Sequence, residues 1–147
     1  MAAGFRTVRD PNDTDVIQVT VSSVTAAAAD LLELNAGATA WTVADSSTQH
    51  WEIKAIVVKA VASTDTVADV KLVHPWMLVE ADVANNSDAA HNGDRMALTD
   101  QNTVNNSASD QTGQTANFVQ IAPIGAAADK RILGRFLGGT GVDPDAA

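Results

Sequence analysis

Residues 50–62 read HWEIKAIVVKAVA. Trp51, Ile53 and Ala55 alternate with Glu52 and Lys54, and then Ile56, Val57 and Val58 run together without a break. Alternation with a period of two marks a strand with one covered face. A continuous β-branched run marks a strand covered on both. The segment therefore predicts a strand that begins half-buried and whose second half lies between two layers. Ile53 and Val57, with Leu72 further on, are the predicted core residues.

The segments on either side support a sheet. Upstream, DVIQVTVSSV (15–24) sets Ile17, Val19 and Val21 against Gln18, Thr20 and Ser22. TAAAADLLEL (25–34) has the alanines and leucines of a short helix, but Asp30 and the following NAGAT punctuate it. It is read as a connector followed by a strand, LLEL. TAWTVA (39–44), TVADVKLV (66–73) and WMLVEAD (76–82) read as further strands, as do NFVQIAPIG (117–125) and KRILGRFLGG (130–139). Pro123 has no ladder donor and is expected at an edge, a bulge or a strand end. Between them lies a polar stretch, 85–115, with the short island DRMALT (94–99) in its middle. About nine to eleven short strands separated by turn signals every 8–12 residues indicate an all-β sandwich or small barrel with long polar loops. The expected division is an extended N-terminal arm (1–14), a β-domain (15–138) and a frayed tail (139–147).

Composition agrees. The 147 residues suit one domain. Of 18 acids, 15 are Asp and only Glu33, Glu52 and Glu80 are Glu. Asp favours turns, where its short side chain bonds nearby amides, and Glu favours helices. A net charge of −9 argues against sequence-independent nucleic-acid binding and against docking on anionic membranes. With no Cys, thiolate chemistry and disulfides are excluded. No 18-residue apolar run and no signal-peptide pattern is present, so the expected site of synthesis is the cytoplasm, with exit by assembly or lysis.

Catalytic signatures are weak. His50, His74 and His91 fall in no metal-ligand spacing, and no G-x-S-x-G elbow is present. The carboxylate pairs Asp13/Asp15 and Asp143/Asp145 sit in turn-forming loops, not in apolar pockets that would raise a pKa. Residues 100–110 offer oxygen ligands but lack the glycine and closing Glu of a calcium loop. The glycosylation sequons at Asn12, Asn85 and Asn105 follow from Asn-rich loops. GGTG (138–141) opens no helix, so a phosphate loop is not expected. The expectation is no enzyme, no cofactor and no metal. Among the tryptophans, Trp51 and Trp76 read as core, and Trp41, in a small polar context, reads as the candidate partner contact.

WMLVEADVANNSDAAHNGDRMALTDQNTVNNSASD (76–110), followed by NFVQIAPIGAAADKRILGRFL (117–137), resembles the head decoration, or cement, proteins of tailed bacteriophages. The shared pattern is a strand with an acidic end (Glu80), an Asn-rich loop and a closing ILGRF strand. The earlier strand–turn–strand pattern extends the likeness over roughly residues 25–137. The resemblance implies a small β-domain on the outer surface of an icosahedral capsid, clamping neighbouring major capsid subunits. It also implies self-association, as a trimer first and a dimer next. The long Asn-rich region departs from the simplest members. On this reading Phe5, Arg6, Val8 and Arg9 form a capsid-binding arm, with Phe5 and Val8 anchoring in a partner's groove. Asn85, Asn86, Asp88, His91, Asn92 and Asp94 form an interface loop. The alternative is a carbohydrate-binding or adhesive β-domain from a phage tail or fibre.

Overall fold

A computed structural model describes residues 3–107 and 110–141. It is an all-β sandwich. The strands are β1 (Phe5–Arg9), β2 (Val16–Thr20), β3 (Leu31–Leu34), β4 (Thr42–Val43), β5 (Ile53–Val57) and β6 (Val67–Leu72). They continue with β7 (Leu78–Asp82), β8 (Arg95–Met96), β9 (Leu98–Asp100), β10 (Thr103–Val104), β11 (Phe118–Pro123) and β12 (Arg131–Phe136). One antiparallel sheet runs β1-β7-β12-β11-β8 and the other β2-β6-β5-β3-β4, with β9 and β10 as a separate hairpin. The only helical pieces among the described residues are two single 3-10 turns, Ala89–His91 and Ala127–Asp129.

The strand that decides the fold is covered on both faces through Val57, whereas Val58, which continues the apolar run, lies past its end and is 48% exposed. Ile56 points into one core, between the two sheets, with Phe5, Leu31, Val79, Phe118, Ile132 and Phe136. Ala55 and Val57 point the other way, into a second core with Val19, Val21, Leu32, Trp41 and Val70. That second core fills the inside of the curled β2–β4 sheet. Its two edges meet at a single parallel bridge, Val21 to Trp41, so the sheet curls without closing into a barrel. Of the predicted core residues, Val57 is fully buried, and Ile53 and Leu72 pack against the second core half-buried. The LLEL segment is β3, paired to β5 from Leu31↔Ile56 to Leu34↔Ile53.

Several boundaries differ from expectation. Phe5–Arg9 is not an arm. It is the edge strand β1, paired to β7 from Phe5↔Ala81 to Arg9↔Leu78. Phe5 is 1% exposed. Its ring lies 5.1 Å from that of Phe136 and 6.1 Å from that of Phe118. The chain's three phenylalanines thus form one cluster, and burying that ring internally gains more than leaving it in water for a partner. Lys54, read as solvent-facing, is fully buried because the first sheet covers its side of β5. The tail is held through Gly141: Gly139 N–H donates to His50 O and Gly141 N–H to Trp51 O, both at 2.7 Å. Asp143 and Asp145 lie outside the described residues.

DRMALT divides into two elements. Arg95–Met96 ends the first sheet against β11, and Leu98–Asp100 pairs with Thr103–Val104 across a tight turn. Met96 and Leu98 both enter the inter-sheet core, so the island carries core residues from one sheet to the hairpin. Pro123 closes β11, just past a bulge between Gln120 and Ala122.

Gly134 in β12 faces the Phe118 ring. A Cβ there would lie 2.2 Å from Val119 O and 2.3 Å from the ring. Gly134→Ala is expected to cost about 1–3 kcal/mol by overpacking, read as a lower urea midpoint at an unchanged m-value.

Candidate functional site

The residues singled out in the sequence do not come together in one place. The N-terminal four split. Phe5 belongs to the core, and Arg6 is held on the outer face of the first sheet, donating to Glu80 and Asp82 at 3.0 Å each. Arg131 approaches the same Glu80 carboxylate from β12. Val8 and Arg9 remain exposed, Val8 at 58%, where a register shift between Thr7 and Arg9 interrupts the pairing with β7.

The polar loop is locked from within. Asp88 caps the 3-10 turn by accepting from Ala90 N–H at 2.9 Å, and His91 Nδ1 meets Asp94 at 3.0 Å. Gln120 is fully buried and reaches under the loop, donating to Asp88 O at 2.8 Å and Asn92 Oδ1 at 2.9 Å. Asn106 makes a reciprocal clamp, accepting from Asn85 N–H at 2.8 Å and donating to Asn85 O and Asn86 O. Asn85, Asn86, Asp88 and Asn92 stay exposed on this braced loop, whereas His91 and Asp94 are half-buried and occupied with each other.

The tryptophans exchange roles. Trp41 is 8% exposed, packed in the second core, and its backbone N–H donates to Thr20 O at 2.9 Å. The partner contact expected there is corrected, because the second core takes that side chain while its backbone closes the curled sheet. Trp76, read as core, is 66% exposed. It precedes β7, in the turn after Pro75, and that turn aims the indole outward. Arg135 lies over its ring at 5.9 Å. Trp76, Leu78, Arg135, Arg9, Pro11 and Asn12 line an open groove of about 430 Å³ at one end of the first sheet's outer face. The sequence does carry a signal for it, since Pro75 breaks the strand pattern just before Trp76.

Two polar clusters complete the picture. Asp10 accepts from Thr14 N–H at 2.8 Å and meets His74 Nε2 at 2.6 Å and Lys71 at 3.5 Å. Burial opposes its ionisation, but the hydrogen bonds from Thr14, His74 and Asn12 outweigh it and hold the carboxyl well below the usual range. His74 Nδ1 is buried and unpartnered, so the pair braces the β1–β2 connection and gives that ring no nucleophile to activate.

The second cluster lies where the loop 45–52 crosses β3. Burial pushes Glu33 up to about 7, helped by the neighbouring Glu52 carboxyl and by Asp45. Burial pulls Lys54 down to about 8 against the opposing charges of Glu52 and Glu33. Lys54 Nζ donates to His50 O and Glu52 O at 2.9 Å each, and Asn117 Nδ2 donates to Thr48 O at 2.6 Å. Perturbed groups in a cleft suggest chemistry. Glu33 and Lys54 line none of the four grooves around Val61, Trp76, Leu137 and Asp129, and the hydrogen bonds of Lys54 and Asn117 tie the loop to the sheet. No group of three His, Asp or Glu among the described residues is placed to hold a metal ion.

Comparison with protein-family models, with curated proteins and with solved structures gave no match. The described residues present a β-scaffold with an exposed aromatic, cationic groove and a braced polar loop.

Proposed function

We propose that this chain is a structural binding protein of a tailed-phage virion, without catalysis. In this role it decorates the outer capsid surface and bridges major capsid subunits. The observation that carries a binding role is Trp76. Exposing a large indole in the turn before β7 forgoes its burial energy, and Trp and Arg are the side chains that anchor protein interfaces. The three phenylalanines and Trp41 are spent on the two cores and Trp51 is half-buried, which makes Trp76 the most exposed of six aromatics. The capsid as partner rests on the resemblance of residues 76–110 and 117–137 to decoration proteins. Contact then comes from Val8, Arg9 and the Trp76 groove, with Asn85, Asn86, Asp88 and Asn92 as a wet polar rim. Each contact can be weak, because many copies act together on one particle. Self-association, as a trimer first and a dimer next, belongs to the same reading and is measured by light scattering.

The test is sedimentation of the purified protein with capsids of the phage that encodes it. Binding together with a higher temperature of DNA release is expected. A protein that never sediments with capsids would overturn the reading.

The exposed indole also favours a second reading, an adhesive carbohydrate-binding domain of a tail or fibre. Against it, Arg135 occupies space over the ring, and Asn12 is the only amide lining the groove to meet sugar hydroxyls. Glycan binding that disappears in Trp76→Ala would favour this alternative.

A further inference from the structure

We propose that the Trp76 groove docks an extended acidic segment of another protein chain. The inference deepens the binding role above by naming the chemistry of the partner. Its basis is charge complementarity. The chain carries 18 acids and 9 bases, yet no carboxylate lines this groove among the described residues. Four of the nine bases, Arg6, Lys71, Arg95 and Arg131, are in ion pairs, and Lys54 is buried. Arg9, Lys59, Lys130 and Arg135 make no ion pair among the described residues, and two of these four, Arg9 and Arg135, flank Trp76.

In an acidic protein, two guanidiniums left without carboxylates beside an exposed indole form a place for a partner's carboxylates. Guanidinium forks hold carboxylates in a fixed geometry. Trp76, Pro11 and Leu78 supply apolar surface for the rest of the segment. The register shift at Thr7/Arg9 breaks the ladder and pushes Val8 outward, which blunts β1 against strand addition. The segment therefore lies across the sheet's outer face, held by side chains, and does not extend the sheet.

The probe is a short fluorescent peptide of alternating Glu and Val, titrated in about 50 mM and about 0.5 M salt to vary the screening. The same peptide with Lys in place of Glu serves as its control. The intact protein is expected to bind the Glu peptide, more weakly in high salt, and not the Lys peptide. Trp76→Ala and the double variant Arg9→Glu/Arg135→Glu are each expected to weaken binding at least about tenfold. Both change exposed or half-exposed positions, so unchanged circular dichroism and melting should confirm the fold. Lys59→Glu/Lys130→Glu makes the same charge change outside the groove and is expected to leave binding unaltered. Equal weakening by that control, equal affinity of the groove variants, or no binding of the Glu peptide would overturn the inference. Sedimentation of the same variants with capsids separates the two proposals. A groove that binds the peptide in a protein that ignores capsids sinks the decoration reading alone. Capsid binding without peptide binding sinks the groove alone.

Discussion

Phe5→Ala is expected to destabilise the protein by about 3–5 kcal/mol, the usual cost of emptying a fully buried aromatic site. Deleting residues 2–10 is expected to cost more, because it also removes the β1–β7 ladder. The ring sits among Phe118 and Phe136, and the latter two meet edge-on at 5.2 Å. Around Phe5 the strand is fastened at three points. Its N–H donates to Ala29 O at 2.8 Å, Gly4 N–H donates to Asp82 at 2.8 Å, and Arg6 bonds to Glu80 and Asp82. For a chain of this length each kcal/mol is worth roughly 2–4 °C, so the point variant should melt roughly 6–20 °C lower. If residues 2–10 formed a detachable capsid-binding arm, the truncated protein would melt like the intact one and lose only its partner. An unchanged melting temperature in both variants would restore that arm and refute β1. Val8→Ser separates the two roles, since Val8 is exposed and its loss should leave the melt nearly unchanged.

The residues that misled the sequence reading share a physical cause. Burial of a strand depends on what covers it, and a single sequence shows only its own periodicity. For Ala55, Ile56 and Val57 the apolar run sufficed, because it has no polar face to leave outside, although Val58, which continues the run, is exposed. In Phe5–Arg9 one large apolar residue stands among charged neighbours, which is how a loose terminus also reads. Its partners Glu80 and Asp82 are more than seventy residues away. Lys54 alternates correctly with its neighbours, and its face would meet water if the first sheet did not pack there. The tryptophans were inverted for the same reason. Trp41 sits among small residues but closes the curled sheet, and Trp76 sits among apolar residues but follows the turn at Pro75. The braced loop at 85–94 was legible as a loop. Its clamps, Gln120 and Asn106, were not, since they come from distant segments.

Glu33→Gln is expected to stabilise the protein at pH 7.5 and to change little at pH 4. The Glu33 carboxyl has an ordinary value of 4.5 and is pushed up to about 7 by burial beside Glu52 and Asp45. Below pH 4.5 it is protonated in the folded and the unfolded chain and costs nothing. Between 4.5 and about 7 the unfolded chain releases the proton while the folded chain keeps it, so stability falls as pH rises. The full loss is on the order of 3 kcal/mol. Lys54 acts from the other side. Burial lowers it from 10.5 to about 8, so its contribution is complete above 10.5 and is lost as pH falls to about 8. The two groups together place a trough near pH 7 to 8, where both are charged in a largely dry environment. An amide at position 33 keeps the shape and can still bond to Thr48 and Glu52, but it never needs to ionise. The difference between variant and parent urea midpoints reads Glu33 together with the two groups it is coupled to, Glu52 and Lys54, because distant carboxylates such as Asp10 cancel. That difference should grow steadily from pH 4 to 7 and then level off. A difference that is flat with pH would mean that Glu33 ionises normally and that the cluster beneath loop 45–52 is open to water.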